Sequence, residues 1–349
     1  MTRILLTFLV VFCVSCKQTN QTVPRIEGSI KENVKVVKTI AFGSCNHEDD
    51  SQKYWDEILK EKPDVWIWGG DNIYANSRDM SVLKRKYDSQ LNNPYYQNFI
   101  SEVDVYGTWD DHDYGANDGN KLFELKEESK TLALDFLGVS NLHEVRLREG
   151  IYQDYILGEP GQQIKLLLLD TRSFQDPLKP NPSGKSRYLK SQGDLLGEEQ
   201  WIWLENELYE NEAEVHIIMS SIQFIAEKHG FEKWDNFPNS KDKMIEIIHY
   251  SNARNVIFLS GDRHIGEISR LKIDSLNYPL YDITSSGLTH SYTKSKEVNP
   301  YRIGALVVDK NYGILNFDWK KDKVHIQCKI KGMDGSIYVH ESLGEFALN

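Results

Sequence analysis

Four short strings place thiol, carboxylate, phenol and imidazole groups directly behind apolar runs. They are Gly43-Ser44-Cys45, Gly69-Gly70-Asp71 with Tyr74 close behind, Asp110-Asp111-His112-Asp113, and Gly261-Asp262-Arg263-His264. All these groups ligate metals or carry protons. Clustered carboxylates such as Asp110, Asp111 and Asp113 repel one another unless a cation or solvent screens them. Their charge is expected to raise the proton affinity of His112, which suits a general acid; a neutral His112 would be a ligand instead. Glycine before Asp71 allows a sharp turn that projects the carboxylate into a cleft. Tyr74 can ligate ferric iron once its proton is lost. Asp262 and His264 alternate along a segment that reads as extended, so both would face one ion.

Three further groups have two readings each. Cys45 is a metal ligand as a thiolate, or a buried free thiol. Arg172 follows an apolar run and either clamps phosphate through its planar fork or pairs with a carboxylate. Trp234-Asp235 lines a cleft or packs. His47 and His216 read as structural or solvent-facing. Together the groups fit a two-metal hydrolase, which polarises a phosphoryl group and activates water near neutral pH. Oxygen ligands suit Ca(2+) or Mn(2+); a thiolate with a phenolate suits Fe(3+).

The elements that must position these groups are legible in the pattern. Apolar runs at residues 36–42, 65–68, 103–108, 166–169, 215–219 and 255–259 read as strands. Helical spacing appears around Trp55, Ile58 and Leu59, and over residues 122–137, 197–208 and 241–250. Continuous apolar strands between helices imply a sheet covered on both faces, with ligand groups at the carboxyl ends of its strands. From this pattern alone, the chemistry gathers at one edge of one sheet. Runs at 281–285, 304–308, 313–319 and 324–329 alternate and carry turn residues, so they read as antiparallel strands that extend the fold as a second sheet, with no linker before them.

A chain of 349 residues with 40% hydrophobic and 27% charged residues can bury a substantial core. Its formal net charge of -11 argues against binding a nucleic-acid duplex, which needs clustered Lys and Arg. It leaves room for a small phosphate ester. Residues 1–16 read as an export segment: a basic start, an apolar run at 4–14 too short to span a membrane, then Ser15-Cys16. This resembles a lipoprotein signal in which Cys16 takes the lipid, although Cys13 stands where leucine is usual. A lipid anchor on Cys16 would hold the protein at a membrane, as a periplasmic or outer-membrane lipoprotein of a bacterium. Residues 17–33 read as a polar tether, and 34–349 as one catalytic domain with a β-rich C-terminal part. Cys45 and Cys328, far apart in the chain, do not make a disulfide framework.

The ordered set Gly43-Ser44-Cys45, Gly70-Asp71-Asn72-Ile73-Tyr74, Trp109 to Gly115, Leu169-Asp170-Thr171-Arg172, Trp234-Asp235 and Gly261-Asp262-Arg263-His264 resembles the PhoD-like alkaline phosphatase family over roughly residues 36–270. The resemblance implies an α/β fold, a calcineurin-like metallophosphoesterase sandwich of two mixed β-sheets flanked by helices. It implies phosphomonoesterase and phosphodiesterase activity at a centre of Fe(3+) and Ca(2+). By motif position, Cys45, Asp71 and Tyr74 would hold the iron. Asp111, Asp262 and His264 would be further metal ligands, with Asp71 bridging. His112 would sit at the general-acid position, and Arg172 would contact phosphate. The first motif comes too early for the N-terminal β domain of some members, and Ser220-Ser221 stands where other metallophosphatases carry histidines. The expected function is an exported, metal-dependent phosphoesterase. The other readings are a non-catalytic surface binding protein on the same scaffold, and a sulfatase.

Overall fold

A computed structural model describes residues 35–184, 186–210 and 213–348. The expected export segment, the tether and Cys16 lie outside the described residues. In chain order the strands are β1 (Thr39–Gly43), β2 (Val65–Gly69), β3 (Asp104–Thr108), β4 (Gln153–Leu157), β5 (Ile164–Leu168), β6 (Lys179–Pro180), β7 (Tyr188–Leu189), β8 (Val215–Ser220), β9 (Val256–Ser260), β10 (Gly266–Leu271), β11 (Leu280–Ser285), β12 (Arg302–Val307), β13 (Asn311–Trp319), β14 (Lys323–Gly332) and β15 (Ile337–Ala347). The helices are α1 (Tyr54–Leu59), α2 (Met80–Leu91), α3 (Pro94–Glu102), α4 (Asp111–Tyr114), α5 (Lys126–Phe136), α6 (Gly197–Tyr209) and α7 (Pro238–Tyr250).

Two mixed sheets carry the molecule, in the orders β15-β14-β13-β1-β2-β3 and β12-β10-β11-β9-β8-β5-β4. Parallel pairing joins β1 to β2 and β2 to β3 in the first sheet, and β5 to β8, β8 to β9 and β9 to β11 in the second. The apolar strands divide between two faces with period two, as extended backbone requires. Ile40, Phe42, Val65 and Ile67 point to the centre and meet Leu166, Leu168, Ile217, Met219, Ile257 and Leu259 of the other sheet. Ala41, Trp66 and Trp68 point outward, where Trp55 of α1, Tyr96 and Phe99 of α3 and Phe136 of α5 cover them. Leu167, Ile218, Val256 and Phe258 face Trp201, Leu204, Met244 and Ile248 of α6 and α7. The result is a four-layer sandwich of helices, sheet, sheet and helices.

Two readings of the pattern are corrected. The site-bearing strands belong to two sheets, because burial on both faces looks the same whichever sheet a strand joins. The C-terminal strands divide between the two sheets: β13 pairs antiparallel with β1, while β11 lies beside β9. Cys45 and Cys328 are separate buried thiols. Among the described residues no helix is long and apolar enough to cross a membrane.

Candidate metal centre

The strings singled out in the sequence meet where strands of both sheets end. Two glycines permit this approach. A Cβ on Gly70 would lie 2.5 Å from Asp110 Cβ, so only glycine lets the loops after β2 and β3 touch. A Cβ on Gly261 would lie 2.7 Å from the Gly69 carbonyl, across the gap between the sheets. The strand ends also adopt unusual backbone. Cys45, Asp71, Asp262 and His264 all have positive φ, at 62°, 50°, 63° and 54°. Such conformations cost on the order of 1–3 kcal/mol each and persist where the surroundings impose them.

Asp71 is the hub. Its carboxylate accepts from the Tyr74 hydroxyl at 3.0 Å, from the His112 backbone N–H at 3.2 Å, and from the Cys45 thiol at 3.5 Å. The Tyr74 hydroxyl also lies 3.1 Å from His264 Nε2. Asp111 is held by the Asp118 backbone N–H at 2.5 Å. Ligand atoms fall into three tight groups, each with its atoms within 4.8 Å of one another: Cys45, Asp71 and His264; Asp71, Asp111 and His112; Asp110, Asp111 and Asp262. Asp71 belongs to the first two groups and Asp111 to the last two.

This arrangement is anionic and short of partners. Asp110 Oδ2, Asp111 Oδ1, His112 Nδ1 and His264 Nδ1 are buried without a hydrogen-bond partner among the described residues. Burial, then the Asp111 charge, pushes the Asp71 carboxyl well above its usual range. Burial and neighbouring carboxylates raise Asp262 to about 8. Burial, and then Asp71, pushes the Cys45 thiol well up. Buried anions that repel one another, beside orphaned ligand atoms, are what cations would relieve. The residues present therefore fit metal ions.

The structure separates the members of each string. Asp113 turns inward and accepts from the backbone N–H of Asp110 at 2.7 Å and from the Asn72 side chain at 2.7 Å, locking two loops together. Asp262 and His264 do not lie on an extended segment. Their left-handed backbone sends His264 to the Cys45 group and Asp262 to the Asp110 group.

The expected rise in His112 proton affinity is also corrected. Burial is the largest influence and lowers it, with Arg172 and His47 acting in the same direction against the pull of Asp111 and Asp118. Arg172 is fully buried, with Nε donating to Asp110 at 2.6 Å and a terminal nitrogen to Glu232 at 2.7 Å. Its guanidinium holds Asp110 in place and offers phosphate no open face. Trp234 packs in the core with its indole N–H on Ser220, and Asp235 pairs with Lys190. His216 is buried against the Arg254 backbone, as a structural histidine should be.

His47, read from the sequence as structural or solvent-facing, instead stands at the centre, and His290 and Ser286 there were not singled out at all. His47 stacks on Tyr74 with ring centroids 4.1 Å apart, and His290 lies 4.3 Å from the His264 ring. Ser286 accepts from the His264 backbone N–H at 2.6 Å. His47 stands two residues behind Cys45, and Ser286 and His290 flank Gly287 behind the run at 281–285, so glycine-bearing strings behind apolar runs were the available signal. Glu232, the partner of Arg172, has no local signal.

Comparisons with known proteins agree with this architecture. Alkaline phosphatase D of Bacillus subtilis (strain 168) is 26% identical over 289 residues, covering 68% of this chain and 47% of that relative. The chain thus spans about half the length of the curated relative it matches. The solved structure of PhoD superposes with a TM-score of 0.66 at 18% identity, over 90% of this chain and 73% of that one, a likeness of fold. The PhoD-like phosphatase family model matches residues 40–299, a stretch that contains every ligand group from Cys45 to His264. The chain belongs to the PhoD-like phosphatase family.

Proposed function

We propose that the protein is an exported, metal-dependent phosphoesterase that hydrolyses phosphate monoesters or diesters. The observation that carries this reading is the linked trio of ligand groups, which share Asp71 and Asp111 and contain four orphaned buried atoms. Family membership supports ester hydrolysis. The apolar run at residues 4–14 ahead of Cys16 supports export and a lipid anchor.

Cys45, Tyr74, Asp71 and His264 offer sulfur, phenol oxygen and nitrogen, a set that suits Fe(3+). Asp110, Asp111 and Asp262 offer only carboxylate oxygen, which suits Ca(2+) or Mn(2+). Ions bound there supply positive charge that polarises a phosphoryl group and eases deprotonation of water near neutral pH.

The protein's own groups do the positioning. Arg172 and Ser221, the latter donating at 2.8 Å, fix Asp110. The Asp118 backbone N–H fixes Asp111. His47 and His112 sandwich the Tyr74 ring, with centroids 4.1 and 4.2 Å away, so its hydroxyl stays on Asp71. His112 is held neutral by burial, so it is set up to ligate or to accept a proton. Its place beside Asp71 and Asp111 favours the ligand role over the general-acid role implied by the resemblance.

The test is hydrolysis of aryl phosphate monoester, aryl phosphate diester and aryl sulfate before and after chelation, with iron and calcium restored separately. Phosphate-ester turnover that chelation removes and these ions restore is expected. Turnover untouched by chelation, or no hydrolysis under any metal condition, contradicts the reading; faster sulfate-ester cleavage makes the protein a sulfatase.

A further inference from the structure

Beside the metal centre lies a pocket of about 700 Å³ that the chemistry above does not use. It is formed by the loop carrying Lys228, His229 and Phe231 and by the loop at residues 291–298. That volume is typical of small-molecule sites. Tyr292 connects the two regions. Its ring lies 4.6 Å from the His264 ring, and its backbone N–H donates to the His264 carbonyl at 2.8 Å. Tyr292 thus borders both the centre and the pocket.

The lining has a definite chemistry. Lys228, Lys294 and Lys296 face it, and none of the three forms an ion pair among the described residues. The pocket's acid, Glu297, is already paired with Arg263. A concentration of positive charge therefore stands in a chain whose net charge is -11. Phe231 and Tyr292, with ring centroids 6.0 Å apart, supply an apolar wall.

His229 adds an independent sign of a ligand. It is 7% exposed, and its Nδ1 accepts from the Phe231 backbone N–H at 3.3 Å. In the neutral ring the proton must then sit on Nε2, which has no partner among the described residues. The Ser295 hydroxyl in the same wall also lacks one. Buried donors without acceptors are rare, and both residues stand in the wall of this pocket.

We infer that this pocket binds the alcohol half of the ester, and that the preferred substrates carry a second anionic group there on a ring-sized apolar body. This deepens the phosphoesterase reading and rests on it. The lysines take the second anion, while Phe231 and Tyr292 hold the body.

The test measures binding of two non-hydrolysable probes, benzylphosphonate and para-carboxybenzylphosphonate, to the metal-loaded protein. Hydrolysis of phenyl phosphate is followed in parallel. The second protein is the triple variant Lys228→Gln, Lys294→Gln and Lys296→Gln, whose exposed positions leave the fold intact. The original protein is expected to bind the carboxylated probe about tenfold more tightly, and the variant to bind both within about twofold. Phenyl phosphate turnover should stay level in the two proteins. Equal binding of the probes by the original protein, or a preference that survives in the variant, overturns the inference while turnover upholds the centre. Absence of both turnover and phosphonate binding overturns the underlying reading as well.

Discussion

Asp71 and Asp170 look alike in the sequence, since each closes a buried apolar strand, yet they end in opposite situations. Asp170 is saturated. Its two oxygens accept from the Trp109 indole at 2.9 Å and from the backbone N–H groups of Arg172 at 2.9 Å, Ser173 at 2.9 Å and Ile151 at 3.0 Å. It staples the ends of three segments together. Asp71 sits in left-handed backbone among Asp110, Asp111, Asp113 and Asp262, which all push its proton affinity up. A carboxylate with four donors stabilises the fold. A carboxylate crowded by like charges destabilises it until cations arrive.

The largest effect should come from Asp71→Asn. Ester hydrolysis is expected to fall by on the order of 10³-fold or more, with the thermal midpoint of the metal-free protein unchanged or higher. Near-normal turnover would remove Asp71 from the centre. The opposite profile is expected of Asp170→Ala. It strands four donors and should lower unfolding free energy by roughly 3 kcal/mol, while turnover per folded molecule stays within a few-fold. Denaturant midpoints and turnover at low temperature separate the two.

Histidines sharpen the same contrast. His216, in the body of β8, is held by burial at a proton affinity of about 4 against an ordinary 6.5. The unfolded chain therefore takes up the proton first as pH falls. His216 contributes its full stability above the ordinary value, and that contribution is lost as pH drops towards about 4, by roughly 3 kcal/mol in all. Urea midpoints across that window should fall more steeply in the original protein than in His216→Gln; equal slopes would contradict the account. His112→Ala should act on the centre instead. A loss of about 10–100-fold in metal affinity together with turnover is expected. Lost turnover at full metal content would return His112 to the role of general acid.

Much of the fold was legible because the strands are buried on both faces. That leaves runs at 65–68, 215–219 and 255–259 that are apolar apart from His216 and Asn255, with little alternative to β structure. What the runs do not encode is which sheet each joins; that depends on pairing partners far apart in the chain, such as Thr39 with Asn316. At the centre, Cys45, Asp71, Tyr74, Asp111, Asp262 and His264 were visible as residues behind strand ends, and the structure brings them together. Electrostatics were not legible, because burial decides them. Burial reverses the expected shift at His112 and seals Arg172 between Asp110 and Glu232. His290 arrives from the loop after β11, three residues behind Gly287, and only the tertiary fold sets it against His264.

The most direct test of the central claim, that carboxylates shared between ligand groups hold more than one ion, is elemental analysis of bound metal per chain. It should compare the original protein with Asp71→Asn and Cys45→Ser. At least two ions per chain are expected in the original protein, with loss of more than one in Asp71→Asn and loss of iron alone in Cys45→Ser. A single ion per chain, or full metal content in Asp71→Asn, would contradict the claim.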